Sequence, residues 1–125
     1  MTEPIRRLPD SELTVMQAVW QATPPVSRGA LEEILLPQHP MAQTTLLTLL
    51  SRLAEKGFLT VEKSGKTNYY IPKVSQDAYV SAQGRRFVDQ LCGGSISAFA
   101  SALCDGALSK QEIDQLRKLL EEDRL

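Results

Sequence analysis

The sequence predicts a mainly α-helical fold with a small β-hairpin, organised as an N-terminal domain over residues 1–74 and a helical region over 75–125. Three observations predict it. Apolar residues recur at helical spacing through most of the chain; Phe58 to Lys63 alternates at period two, and a β-branched and aromatic run, Thr67 to Ile71, follows a turn at Ser64-Gly65; and prolines and paired glycines punctuate the rest. At 125 residues the chain is one domain of common size, or a small domain with an appendage.

After a short polar arm, Asp10 or Ser11 is placed to cap a helix running to about Gln21, with Leu13, Met16 and Trp20 on its inner face. Thr23-Pro24-Pro25 ends it, because the residue before a proline is pushed out of the helical region and proline has no N–H to donate. Ser27 then opens a short helix to about Leu35, with Ala30, Leu31 and Ile34 inward and Glu32 and Glu33 outward. Pro37-Gln38-His39-Pro40 is a breaker-rich turn.

The stretch Ala42 to Lys56, AQTTLLTLLSRLAEK, is the third helix. At 3.6 residues per turn Leu46, Leu49, Leu50 and Leu53 form one stripe, and Thr44, Thr48, Ser51 and Glu55 fall opposite. A surface helix usually carries paired Glu and Lys outside. This one carries Gln43, Thr44, Thr48 and Ser51, with Leu47 at the flank and Arg52 and Lys56 towards its end. Hydroxyls and an amide suit a surface that lies against base edges and phosphates. An ordinary Thr-rich exterior is the alternative, so the flanking elements decide.

Gly57 stands where a left-handed residue ends a helix, with Lys56 set favourably against the C-terminal dipole. Phe58 to Lys63 and Thr67 to Ile71 then read as two strands joined at Ser64-Gly65, and Pro72 closes them. A hairpin directly after three helices is the winged form of helix-turn-helix. Lys63 and Lys66 at its tip are placed to reach backbone phosphates, or else are ordinary solubilising charges. Tyr69 and Tyr70 point to opposite faces; one is core, and the pattern leaves open which.

From Ser75 the chain is helical in three pieces separated by Gly93-Gly94 and Asp105-Gly106. Val80, Gly84, Phe87 and Leu91 line the first, Ile96, Phe99 and Leu103 the second, and Ile113, Leu116 and Leu120 the third. Ser109 with Glu112 forms a capping box. About 50 residues in short helices close a core poorly. The expected cover for Phe87, Leu91, Ile96, Phe99, Leu103, Ile113, Leu116 and Leu120 is the same segment of a second chain, with fold-back onto the N-terminal domain as the alternative.

Formal net charge is −1, which argues against gripping nucleic acid by bulk electrostatics. The distribution softens this. Arg52, Lys56, Lys63, Lys66 and Lys73 against Glu55 and Glu62 make residues 42–74 locally +3, whereas 75–125 is locally −2. No apolar run approaches the roughly 20 residues of a membrane span, and MTEPIRRLPD has no apolar segment behind its arginines, so the expected location is the cytosol without membrane insertion. Cys92 and Cys104 are expected as small buried apolar groups, a redox pair being the alternative. An enzyme is disfavoured: the lone His39 lies in a turn and no nucleophile, paired carboxylates or metal-ligand set converges by spacing, so neither cofactor nor metal is expected.

These residues are similar to the penicillinase-repressor (BlaI/MecI) family along nearly the whole chain. The likeness rests on Leu13-x-x-Met16-x-x-x-Trp20, Val26-Ser27, and Thr44-Thr45-Leu46-x-Thr48-Leu49-Leu50-x-Arg52-Leu53-x-x-Lys56-Gly57. Tyr69-Tyr70 with Val74-Ser75, Gly93-Gly94, and Leu108-Ser109-x-x-Glu112-Ile113-x-x-Leu116 complete it. The resemblance implies a homodimeric winged-helix repressor on double-stranded DNA at a palindromic operator. It also implies release by a signal, with a membrane sensor-peptidase as a further partner and a cleavage region in the middle C-terminal helix. Ala102-Leu103 stands here where β-lactam-responsive members have Asn-Phe, and the C-terminal CxC motifs of copper-responsive relatives have no counterpart. The inducing signal is left open.

In this reading Gln43, Thr44, Thr48 and Ser51 meet base edges, Leu47 a thymine methyl, and Arg52, Lys56, Lys63 and Lys66 phosphates, with Glu55 or the core-side backbone as the alternative partner of Arg52. The third helix, free of acidic residues from Met41 to Ala54, adds a dipole end favourable to anions. The rival is a winged-helix module that binds protein rather than DNA.

Overall fold

Helix formation follows the apolar spacing and the proline punctuation. In the computed structural model, described over residues 5–122, the order is α1 (Asp10–Gln21), β1 (Val26–Ser27), α2 (Arg28–Leu35), α3 (Gln43–Glu55), β2 (Leu59–Ser64), β3 (Thr67–Pro72), α4 (Gln76–Leu91), α5 (Ile96–Ala102) and α6 (Lys110–Glu121).

Pro9, not Asp10 or Ser11, occupies the N-cap of α1, and its carbonyl accepts from Leu13 N at 2.9 Å. Proline suits the place because it supplies a carbonyl and lacks an N–H that would need a partner. The inner face also sits differently from expectation. Val15, Met16, Ala18 and Val19 are buried, while Leu13 and Trp20 are half-buried at the margins, because α1 packs against both α2 and α3. In α2, Ser27 is the cap, its Oγ accepting from Ala30 N at 3.2 Å.

Leu46, Leu49, Leu50 and Leu53 of α3 are all buried. The helix ends as expected at Gly57, whose φ of +84° lies in the left-handed region. Gly57 N donates to Ala54 O at 3.1 Å and Phe58 N to Leu53 O at 2.9 Å, a Schellman pair that turns the chain and drops Phe58 into the core.

Strands β2 and β3 pair antiparallel from Leu59↔Pro72 to Ser64↔Thr67. The sheet has a third strand that the sequence did not announce. β1 lies on the free edge of β3, with Val26↔Tyr70 and Ser27↔Tyr69, giving the order β1-β3-β2. Two residues behind a double proline carry no readable period. Of the two tyrosines, Tyr70 is the buried one and Tyr69 is half-exposed.

Two compact units divide after Ala82, inside α4, rather than after Val74. Tyr79 accounts for the shift. Its hydroxyl accepts from Leu8 N at 2.8 Å, and its ring lies 5.7 Å from Trp20 and 5.8 Å from Phe58 between centroids. Trp20 Nε1 donates to Val74 O at 2.9 Å, holding the chain that leads into α4.

The second unit, Gln83–Leu125, has a different character. Among its described residues Val88 is the single buried hydrophobic. Phe87 and Phe99 meet edge to face at 5.5 Å, and the Ser109–Glu112 capping box is present in both directions. The breaks fall where expected, at Gly93 and Gly94 (φ +61° and +82°) and at Asp105-Gly106, where the wide turn Leu103–Ala107 follows α5. On α4 the hydrogen bond from the Arg85 guanidinium holds the Asp89 carboxyl below its ordinary range, with both groups in solvent. Both cysteines are free thiols, but neither is core: Cys92 is half-buried and Cys104 exposed.

Tyr79→Ala removes an aromatic that two rings and one backbone amide depend on, and should cost about 3–5 kcal/mol in urea unfolding, with Tyr79→Phe costing only about 1 kcal/mol. A wild-type midpoint for the alanine variant would end the first core before α4.

Candidate nucleic-acid interface

The leucine stripe turns the opposite surface of α3 outward. Gln43, Thr44, Thr48, Ser51 and Arg52 are exposed, and Leu47 is half-buried at the flank. Thr48 Oγ1 donates to Thr44 O at 2.9 Å. Its proton is therefore spent on the helix, and its free lone pairs make it an acceptor in this rotamer. Thr44 and Ser51 keep both roles.

Ala42 is the N-cap of α3 and makes no side-chain cap bond, and no acidic residue lies in the first turn. The leading N–H groups thus point outward uncapped, at the positive end of the dipole. Thr45, exposed in the same turn, was not among the expected contact residues. It sits beyond the edge of the hydroxyl stripe, where period alone does not separate contact from solvent.

Arg52 is exposed and has no carboxylate partner among the described residues. Lys63, paired across the sheet with Asn68, and Lys66, in the β2–β3 turn beside Gly65 (φ +63°), are both exposed. Arg28 begins α2, but its Nε lies 3.4 Å from Glu32 Oε1.

Lys56 is elsewhere. Its ammonium lies 2.6 Å from Glu12 Oε1, with Glu12 buried in the face of α1 that packs inward. A buried carboxylate demands a cation, so the Lys56 charge, expected at a phosphate, is paired within the unit in this structure. Glu12 lies in the first turn of α1. Its spacing to Val15, Met16 and Val19 is the signal that puts it on the apolar stripe.

In the second unit, Phe87, Leu91, Ile96, Leu116 and Leu120 are exposed, and Phe99, Leu103 and Ile113 half-buried. Leu119, 47% exposed, joins them although the helical stripe did not include it. Ala102 is exposed at the end of α5 with Leu103 half-buried after it. Among the described residues no three His, Cys, Asp or Glu side chains converge as metal ligands, and no single helix is long and apolar enough to cross a membrane.

A family model described as penicillinase repressor matches residues 8–122. The chain belongs to the penicillinase repressor family. It is 27% identical over 121 residues to the penicillinase repressor of Bacillus licheniformis, covering 96% of this chain and 94% of that one. It is 29% identical over 121 residues to the transcriptional regulator BlaI of Mycobacterium tuberculosis, covering 94% and 86%. Among solved structures it resembles the monomeric form of Bacillus licheniformis BlaI in complex with the blaP half-operator. That match has a TM-score of 0.51 and 28% identity, over 60% of this chain and 90% of the other. Family membership agrees with the three helices and small sheet described above.

Proposed function

We propose that this penicillinase repressor family protein represses transcription in the cytoplasm as a homodimer. It lays α3 in the major groove of a palindromic operator, rests the β2–β3 turn on the backbone, and leaves on an inducing signal. The family supports the DNA-binding repressor, and the likeness to a protein solved on a half-operator supports the mode. The observation that carries the reading is α3 itself, four buried leucines on one side and an exposed, uncharged hydroxyl surface on the other.

Thr48, as an acceptor, suits the amino group of adenine or cytosine; Thr44, Ser51 and Gln43 adapt to either polarity, and Leu47 offers an apolar edge to a thymine methyl. Arg52, Lys63, Lys66 and the uncapped start of α3 meet phosphates. With a formal net charge of −1, affinity depends on placing these few groups well rather than on bulk charge.

The exposed apolar side chains of the second unit support a two-fold dimer, since patches of this kind in a soluble chain mark an interface. Two-fold pairing then sets the half-site spacing and makes the operator palindromic. The region around Ala102-Leu103 is the place for an inducing cut by a membrane sensor-peptidase, because a break there parts the α6 contacts Leu116, Leu119 and Leu120 from the DNA-binding unit.

Thr48→Glu with Ser51→Glu should abolish binding to a duplex selected by the wild type from a random pool, while stability changes by less than about 0.5 kcal/mol. Retained selectivity in the folded variant would take α3 out of the groove. Lys63→Ala with Lys66→Ala should weaken all duplexes alike and flatten the salt dependence by about two units of slope; an unchanged slope removes the wing from the contacts. Leu116→Glu with Leu120→Glu should yield a monomer in analytical ultracentrifugation that no longer retains the two-half-site duplex. A dimer in that variant would place the interface elsewhere.

A further inference from the structure

We propose that Glu12 is a positioning residue for DNA recognition: through Lys56 it sets where the C-terminal end of α3 sits, and hence how the hydroxyl surface meets base edges. The proposal rests on α3 being the DNA-reading helix. Its evidence is the ion pair itself.

The Glu12 side chain is 4% exposed, that of Lys56 23%, and Nζ lies 2.6 Å from Oε1. No other hydrogen bond to the Glu12 carboxylate occurs among the described residues. A carboxylate so placed has one compensating charge, so the ammonium is tethered to it. The tether joins residues 44 apart in sequence, on α1 and at the end of α3.

Lys56 is the C-cap of α3, immediately before the Gly57 turn that launches Phe58 and β2. It is therefore the junction between the reading helix and the wing. Apolar packing of four leucines holds α3 against its neighbours, but such contacts are non-directional and tolerate small slides and rotations. One short, charge-assisted bond does not. Buried ionic groups serve best as devices of register, and here the register belongs to the element whose placement by an ångström decides which base edge each hydroxyl reaches. The same pairing turns the Lys56 charge away from solvent and so withholds it from sequence-blind attraction to phosphate.

The test measures affinity for the duplex selected by the wild type and for a scrambled duplex, well below the melting temperature of every variant. Glu12→Gln should weaken the selected duplex at least about tenfold while scrambled binding stays level or tightens. Lys56→Met should behave alike, the double variant should fall no further than either single, and Lys56→Arg should recover most of the selectivity. A merely structural role leaves the ratio of the two affinities intact, which would overturn the proposal. So would loss of affinity in Lys56→Met without loss in Glu12→Gln, since Lys56 would then be touching DNA directly. Amide hydrogen exchange on free protein is the second arm: Gly57 and Phe58 should lose protection in Glu12→Gln, and unchanged protection sinks the proposal. If the wild type selects no duplex, the DNA reading fails, and the exchange arm still decides whether Glu12 holds the end of α3.

Discussion

Burial of Leu46, Leu49, Leu50 and Leu53 is the constraint on which the first unit depends. Each leucine withdrawn from water contributes about 1.5–3 kcal/mol, so α3 must keep this stripe against α1 and the sheet. Everything on the other side of the helix is then exposed by necessity. Thr44, Thr48 and Ser51 face outward because the leucines do not. The same stripe brings Gly57 to the turn, seats Phe58 in the core and starts the sheet that carries Lys63 and Lys66. One apolar row thus orients both the proposed reading surface and the wing.

The two units manage hydrophobic surface in opposite ways. The first closes on itself, with Tyr79 sealing the gap between Leu8, Trp20 and Phe58. The second leaves Phe87, Leu91, Ile96, Leu116, Leu119 and Leu120 in solvent and buries little. For a protein with a formal charge of −1, proposed to bind a polyanion, the division is economical. The first unit carries the exposed Arg52, Lys63 and Lys66, and the acidic surplus falls in the second.

Charge is also where local spacing says least. A lysine near a helix end, on a segment with a local positive excess, reads as a phosphate contact, as Lys56 does. Folding brings Glu12 to within 2.6 Å of it, a relation between residues on separate elements that no local spacing encodes. Thr48 shows a smaller version: its hydroxyl is present in sequence, but its commitment as donor to Thr44 O is a matter of rotamer.

What the sequence determined by itself is what repeats along the chain: the leucine period of α3, the alternation of the hairpin, the glycine stops, the Ser109–Glu112 cap and the family motifs. These are local, set by backbone geometry and by which side chains avoid water. The tertiary structure decided the rest: that Tyr70 rather than Tyr69 is core, that Val26–Ser27 adds a strand, that α4 begins inside the first unit, and that Glu12 holds Lys56. Each depends on two distant segments meeting, and a pairing between segments leaves no period in either one.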